Sequence, residues 1–489
     1  MNALEQLRFD NSYARLPGRF HSRLRPTPLP APHLVSFNAA AATLIDLDPA
    51  EAARADFAEY FIGNRLLPGS EPLAMLYSGH QFGHYVPQLG DGRAVLLGEI
   101  CNLAGENWDV QLKGAGRTPF SRNGDGRAVL RSCIREYLCS EAMHGLGVPT
   151  TRALCIVGSD EEVYRESIET AAVVTRLAPS HVRFGSFEVF FYRDQPEPLA
   201  MLADYVIARH FPHLADAPDK YVQFLQEVVT HTARLMAQWQ SVGFAHGVMN
   251  TDNMSILGLT FDYGPFGFMG TYDPGYICNH SDHSGRYAFD QQPQIGLFNL
   301  SCLAQALTPI VPLEAARAAL DRYVPAYAEH YVELMGRKLG LTHADQDDVP
   351  LINALLEIMH ANRIDYTNLF RGLGGFQSAA GAQNSALRDQ FIDRAAFDAW
   401  AERYCSRRRR EPGTDTERKA RMDQVNPKYI LRNYLAQNAI RAAEQHRDYS
   451  EVNRLLELLR NPFAEQPELE SYAAPPPDWA EHIEVSCSS

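Results

Sequence analysis

The sequence has few of the features that mark exported or membrane proteins. Its eight cysteines in 489 residues include no CxxC pair, and they do not make a disulfide framework. No apolar run approaches the ~20 residues that a membrane-spanning helix needs. Residues 1–20 also lack the apolar core of a secretory signal. We therefore expect a cytoplasmic protein whose cysteines are mostly reduced and which has no membrane partner.

Positive charge is also scarce. The chain has 45 Lys and Arg residues against 59 Asp and Glu residues, which gives a formal net charge of -14. This balance excludes nucleic acid and anionic lipid as general partners. The one basic cluster, Arg407 to Arg410, is followed by Pro412 and Gly413, which indicates a solvated loop. We expect a monomer.

The order of the sequence patterns predicts an α+β fold. Apolar, β-prone runs at 94–100 and 108–114 indicate an antiparallel hairpin, and apolar residues spaced by three and four after Val129 indicate a helix. Further strands follow before Ser186. Helical patterns dominate after it, most strongly at 221–242. A strand-rich half followed by a helical half predicts two lobes with a cleft between them.

The segment from His246 to Gly264, HGVMNTDNMSILGLTFDYG, carries the strongest chemical pattern. Asn253 and Asp262 offer two oxygen ligands a short loop apart, a spacing that suits Mg²⁺ bound together with phosphate. Kinase-like phosphotransferases have this Asn and Asp, but they also have an Asp directly after the HR or HG pair. Val248 stands at that place, and the nearest acid is Asp252. The alternative interpretation of the segment is a polar hairpin.

Two residues of the strand-rich half extend this pattern. Lys113 lies in an apolar strand, where lysine is unexpected unless it is an edge or solvent residue. Glu136 lies near the apolar stripe of the following helix and needs a partner there, and Lys113 is the natural one. Arg176 and Arg183 flank the predicted junction between the lobes, where they can neutralise a triphosphate or serve as surface charges. Gly90 and Gly92, in GDGR, allow backbone amides to approach phosphate.

The chain resembles the selenoprotein O family of kinase-fold enzymes. The resemblance is carried by long, spaced blocks that include YSGHQFG (77–83), QLKGAGRTPFSRNGDGRAVLRS (111–132), HGVMNTDNMSI (246–256) and FDYGPFGFM (261–269). It implies a bilobal, protein-kinase-like fold and a protein adenylyltransferase that moves AMP from ATP to Ser, Thr or Tyr hydroxyls of protein substrates. It also implies an N-terminal extension at 1–75, a strand-rich lobe at 76–185, a helical lobe at 186–465 and a tail at 466–489.

The resemblance further implies a role for each matching residue. Asp252 is the proton acceptor, Asn253 and Asp262 bind Mg²⁺ or Mn²⁺, and Lys113 pairs with Glu136. The residues implied to bind ATP are Gly90, Gly92, Arg93, Lys113, Asp125, Gly126, Arg176, Arg183 and Asp262. Cys487 stands third from the C-terminus, where some members of the family have selenocysteine, and we hypothesise a regulatory disulfide between it and Cys278.

Three alternatives to adenylyl transfer stay open at this stage. The first is a kinase-like phosphotransferase that uses the γ-phosphate, which Val248 disfavours. The second is an inactive nucleotide-binding scaffold, which is disfavoured by the joint presence of Lys113, Glu136, Asp252, Asn253 and Asp262. The third is a metal site at His280, Asp282 and His283, for which a hydrogen-bonded loop is the simpler interpretation.

Overall fold

A computed structural model of the chain describes residues 1–379 and 381–486, and it shows a mixed fold of one large antiparallel sheet and many helices. The strands are β1 His21–Arg23, β2 His33–Phe37, β3 Leu73–Met75, β4 Gly79–Gln81, β5 His84–Val86, β6 Ala94–Cys101, β7 Asn107–Lys113, β8 Ala128–Val129, β9 Arg152–Tyr164, β10 Ile168–Ala178, β11 Phe244–Ala245 and β12 Gly267–Phe268.

The helices lie mainly after the sheet. They are α1 Ala39–Ala42, α2 Phe57–Phe61, α3 Leu130–Gly145, α4 Phe184–Tyr192, α5 Pro196–His210, α6 Lys220–Ser241, α7 Gln292–Ala306, α8 Leu313–Leu320, α9 Tyr323–Lys338, α10 Asp348–Ala361, α11 Tyr366–Gly372, α12 Ser385–Arg388, α13 Arg394–Arg408, α14 Asp415–Asp423, α15 Asn433–His446 and α16 Ser450–Arg460. Within the described ranges, none of them combines the length and the apolar composition needed to cross a membrane.

The large sheet has the strand order β1-β3-β6-β7-β10-β9-β2, and β8 pairs with β10. The predicted hairpin is confirmed as β6 and β7, and the predicted helix after Val129 as α3. The register places Lys113 of β7 opposite Val174 of β10, and Gln111 opposite Arg176. Since directly opposed residues of an antiparallel pair share a face, Lys113 and Arg176 project from the same side of the sheet.

The two faces of the sheet have different partners. Val110 and Leu112 of β7 pack with α2 and the N-terminal segment in one buried cluster. On the opposite face, α3 packs against β9 and β10, and its apolar residues join the larger core formed with α4 and α6. A third cluster is formed by α9, α10, α11 and α13. Lys113 and Arg176 therefore emerge on the α3 side, toward the second half of the chain.

The prediction of a solvated loop at the arginine run is wrong for its first two residues. Arg407 and Arg408 are the last residues of α13, and they are 3% and 5% exposed. Arg407 donates to Asp348 at 2.6 Å and to Glu411 at 2.7 Å. This buried ion pair fastens α13 to the start of α10, so the arginine serves the packing of the helices.

Candidate nucleotide and metal site

A cavity of about 840 Å³ lies between the large sheet, the loop at 116–127 and the segment at 248–265. It gathers most of the residues predicted from the sequence. Those that line it are Gly90, Gly92, Arg93, Lys113, Asp125, Gly126, Arg176, Asp252, Asn253 and Asp262. Glu136 and Arg183 contact this set from behind, through ion pairs with Lys113 and Asp262.

The predicted pair of Lys113 and Glu136 is present. Lys113 Nζ lies 2.5 Å from Glu136 Oε2 and 3.6 Å from Asp262 Oδ1. Burial lowers the pKa of Lys113, and the negative charge of Glu136 opposes that shift. Arg176 Nη1 donates to the other oxygen of Glu136 at 2.9 Å. One buried carboxylate on α3 thus orients two cations toward the cavity.

Asp262 is the point at which the cations converge. It accepts from Arg176 Nη1 at 2.5 Å and from Arg183 Nη1 at 2.8 Å, in addition to the longer contact with Lys113. Burial alone would raise its pKa, but Arg176, Arg183 and Lys113 hold the pKa of Asp262 well below its usual value. The residue also has a left-handed backbone with φ of 59°, an arrangement that needs support from its surroundings.

Asp252 and Asn253 lie on a single 3-10 turn, Thr251–Asn253. Asn253 Nδ2 donates to the carbonyl oxygen of Val248 at 3.0 Å, which leaves the amide oxygen of Asn253 for another ligand. Burial raises the pKa of Asp252 to about 7, although a hydrogen bond from Gln81 and the charge of Arg183 oppose the shift. A carboxyl with this pKa can exchange a proton near neutral pH. Val248 also lines the cavity.

The loop at 116–127 forms the outer wall of the cavity. Gly126 has φ of 74°, and a Cβ there would lie 2.2 Å from the carbonyl carbon of Gly116, so that this turn accepts only glycine. Gly116 N donates to Gly126 O at 3.0 Å. The carboxylate of Asp125 pairs with Arg165, of the β9–β10 turn, at 2.7 Å. In the GDGR segment at 124–127, the backbone is therefore tied to Gly116 and the acid is paired with an arginine.

The oxygen donors of Asn253 and Asp262 fit a hard divalent cation that takes its remaining ligands from phosphate and water. Both residues line the same cavity. Across residues 1–379 and 381–486, no three His, Cys, Asp or Glu side chains are grouped to hold a metal ion by themselves. A cation held by Asn253 and Asp262 would therefore need further ligands from outside this pair.

The alternative metal site at residues 280–283 has another explanation. Asp282 accepts hydrogen bonds from the backbone N of Arg286 at 3.0 Å and of Tyr287 at 2.7 Å. Its carboxylate therefore closes a loop, in agreement with the simpler interpretation. Cys278, which begins this loop, is buried and donates from Sγ to Ala245 O at 3.5 Å. Cys487 lies outside the described residues.

Sequence reasoning assigned no role to several residues of this cavity. They include Tyr77, Gln81, Phe82, Asp91, Arg117, Phe120 and Arg165. Asp91 is buried, and it accepts from Met75 N at 3.0 Å and from Gln111 Nε2 at 3.3 Å. Most of these residues lie inside the conspicuous blocks at 77–83 and 111–132. These blocks indicated that the segments are important for function, but no chemical pattern within them identified the individual side chains.

Comparison with known proteins shows the family to which the whole chain is similar. The family model described as protein adenylyltransferase SelO matches residues 3–460. A protein of Thiobacillus denitrificans named protein nucleotidyltransferase YdiU is 62% identical over 489 residues, with full coverage of both chains. Proteins of Myxococcus xanthus and Thioalkalivibrio sulfidiphilus with the same name are each 59% identical, also with full coverage of both chains.

Proposed function

The chain belongs to the SelO family of protein adenylyltransferases, and from this membership we propose that it transfers AMP from ATP to Ser, Thr or Tyr hydroxyls of proteins. Pyrophosphate is the leaving group. The type of reaction is inferred from the family match. The location of the active site is inferred from one observation, the convergence of Lys113, Arg176 and Arg183 on Asp262 in a cavity that also contains Asp252.

In this proposal, the cations and the glycine-rich loops bind the nucleotide. Lys113, Arg176 and Arg183 offer three positive charges against the carboxylates of Glu136 and Asp262. They can bind the phosphates of a nucleotide through charge-assisted hydrogen bonds. The residues that line the nucleotide in this proposal are Gly90, Gly92, Arg93, Asp125 and Gly126, which all border the same cavity.

Asp252 is the proposed proton acceptor. Its pKa of about 7 suits removal of a proton from an acceptor hydroxyl as the oxygen attacks the α-phosphorus. Asn253 and Asp262 would hold Mg²⁺ or Mn²⁺, which when bound supplies charge neutralisation on the phosphates. The chain's own contribution is to hold the acceptor, the phosphates and the base in one cavity.

The architecture of the proposed enzyme is the bilobal, kinase-like one. In this proposal β6 to β10 with α3 form the N-terminal lobe (76–185), and the helices after them form the C-terminal lobe (186–465). Residues 1–75 are an extension that adds β1, β2 and β3 to the same sheet, and 466–489 are a tail. The location of the cavity between the sheet and the segment at 248–265 supports this division. We also propose a cytoplasmic monomer, and the net charge of -14 supports the absence of a nucleic acid partner.

Labelled ATP tests the proposed reaction directly. The purified chain is incubated with Mg²⁺ or Mn²⁺, casein as a hydroxyl-bearing acceptor, and ATP labelled at the α or the γ position. We expect α-label on casein or on the enzyme itself, with released pyrophosphate. Asp252→Asn, which lacks the proposed base, serves as the control with strongly reduced transfer. Protein-bound γ-label without α-label would identify a phosphotransferase, and no bound label at all would favour the scaffold.

A disulfide between Cys278 and Cys487 is a separate proposal. The described end of the tail lies at the loop that contains Cys278, since His280 N donates to Val485 O at 2.8 Å. His280 and Val485 are each two residues from one of the two cysteines. This proximity supports redox control of access to the site, which is independent of the reaction type.

A further inference from the structure

The hairpin formed by β4 and β5 lies outside the large sheet and packs on the turn that carries Asp252. His80 N donates to Thr251 Oγ1 at 2.7 Å, and Phe82 N donates to Asn250 Oδ1 at 3.2 Å. The imidazole of His80 is fixed in turn by Glu188 of α4, with 2.6 Å between Nδ1 and Oε2. Glu188 is fully buried. The hairpin is therefore anchored on two sides.

Two glycines allow this close approach. A Cβ at Gly79 would lie 2.6 Å from Asp252 Oδ1 and 3.0 Å from Asp252 N, and Gly79 does not have a positive φ. Close approach, rather than backbone conformation, is therefore the reason for glycine at this position. A Cβ at Gly185 would lie 2.0 Å from Ser78 O, and Ser78 N donates to Gly185 O at 3.1 Å. The hairpin backbone thus lies directly against the carboxyl group of Asp252.

The carboxylate of Asp252 has one side-chain donor among the described residues. Gln81 Nε2 donates to Oδ2 at 3.1 Å, whereas Oδ1 is buried beside Gly79 without a hydrogen-bond partner there. The terminal torsion of an aspartate has a broad preference and does not fix the carboxylate by itself. A donor at one oxygen and a backbone wall at the other select one orientation. Gln81 also lines the cavity.

We propose that Gln81, held by the β4–β5 hairpin, is a positioning residue that orients the carboxylate of Asp252 toward the acceptor hydroxyl. The inference depends on the proposed role of Asp252 as proton acceptor. A base must lie within hydrogen-bond reach of the proton that it removes, and a misplacement of about 1 Å can lower a rate by about 100-fold. Loss of the donor should therefore lower the turnover number more than it changes the affinity for ATP.

The test compares variants of Gln81 and Gly79 with a matched control. Gln81→Met keeps the length of the side chain but removes the hydrogen-bond donor to Asp252 Oδ2. Gly79→Ala places a methyl group against Oδ1, the other oxygen of the same carboxylate. Gln88→Met is the control, since Gln88 is exposed and outside the cavity. Transfer of α-label to casein is measured at varied ATP. We expect about 10- to 100-fold lower kcat for Gln81→Met and Gly79→Ala, KM for ATP within about twofold, and wild-type values for Gln88→Met.

A double-mutant cycle separates positioning from a purely structural role. In the Asp252→Asn background, Gln81→Met should have no further effect on the residual transfer, because its partner is already lost. A kcat of Gln81→Met within twofold of wild type would overturn the inference. So would an equal loss in both backgrounds, or a fall in Tm that accounts for the lost activity. If Asp252→Asn has no measurable transfer, the kinetics of Gly79→Ala test the inference instead. A lower kcat with an unchanged KM for ATP would support positioning of Asp252, and a wild-type kcat would overturn it. Failure of the proposed function itself is distinct, since wild-type enzyme would then attach no α-label.

Discussion

Asp262 illustrates how much of the site depends on single side chains. Its carboxylate lies within 2.5 to 3.6 Å of the charged nitrogens of Arg176, Arg183 and Lys113. It therefore has two functions in the proposed enzyme, as a metal ligand and as the counter-charge of the phosphate-binding cations. Removal of Asp262 affects both functions, and in opposite directions for catalysis and for nucleotide binding.

Asp262→Asn should separate catalysis from nucleotide binding. Loss of the charged metal ligand should lower AMP transfer by about 100-fold or more, about 2.7 kcal/mol in the transition state. The same change releases Arg176, Arg183 and Lys113 from their counter-charge, so ATP in the presence of EDTA should bind at least as tightly as to wild type. Isothermal titration calorimetry measures the binding of ATP, and transfer of α-label to casein measures catalysis. Asn253→Ala is the companion variant, since it removes an oxygen donor without changing the charge.

Near-normal transfer by Asp262→Asn with Mg²⁺ or Mn²⁺ would contradict the metal assignment. Weaker metal-free binding of ATP would contradict the role of the cations. The Tm of each variant is measured in parallel, because three buried cations that lose a carboxylate also repel one another.

Single site residues could be predicted from the sequence where their side chain was chemically unexpected in its predicted element. Lys113 was predicted because a lysine within an apolar strand needs an explanation, and Glu136 because a carboxylate near an apolar helix stripe needs a partner. Gln81 gave no such signal. It is a common polar residue in a short hairpin, and its partner Asp252 is 171 residues away in the chain. Only the folded arrangement brings the two together.

At the scale of elements, the segment between α13 and α14 is fastened by a buried acid. Glu411 is 9% exposed, and it accepts from Thr342 N at 2.9 Å, from Thr342 Oγ1 at 2.5 Å and from Arg407 at 2.7 Å. Burial alone would raise the pKa of Glu411, but these hydrogen bonds and the charge of Arg407 lower it to about 2. The folded protein therefore favours the charged form.

Glu411→Gln should destabilise the protein in a pH-dependent way. Because the pKa is lowered from 4.5 to about 2 on folding, the stabilisation is complete above about pH 4.5 and is lost as the pH falls toward 2. It amounts to at most about 3 kcal/mol. The difference in Tm between wild type and Glu411→Gln should be largest at pH 7 and should shrink between pH 5 and pH 3. Glu314→Gln, in an exposed pair with Arg317, is the control. A difference in Tm that is equal at pH 7 and pH 3 would contradict this role.

Elements were predictable where the sequence pattern is local and long. The β6–β7 hairpin, α3 and α6 follow from alternation or from spacing by three and four residues. The pairings of β1 with β3 and of β2 with β9 were not predicted. These short strands lie among prolines, and their partners are distant in sequence. Burial of Arg407 was missed for the same reason, since its partner Asp348 is 59 residues away.

For the whole molecule, the C-terminal tail connects the end of the chain with the neighbourhood of the site. Trp479 of the tail contacts Tyr434 and Arg441 of α15, and Pro476 lies near Gly270. Val485 then accepts from His280 N in the loop that follows Cys278. Ala245, the acceptor for Cys278 Sγ, directly precedes the segment that begins at His246 and includes the proposed base Asp252. A covalent link at Cys278 would therefore be made beside the start of that segment.

Oxidation should therefore change transfer through Cys278 and Cys487, if the proposed disulfide forms. Mass spectrometry of the oxidised, non-reduced protein should show a peptide that joins the two cysteines. Reductant should change the rate of α-label transfer to casein in wild type, and Cys487→Ala should have the same rate with and without reductant. Cys405→Ala is the matched control, because Cys405 lies on α13 and should leave the redox response intact. Absence of the linked peptide under oxidising conditions, or a wild-type redox response in Cys487→Ala, would contradict the disulfide. Either result would leave adenylyl transfer unaffected, since Asp252, Asn253 and Asp262 do not depend on a bond at the tail.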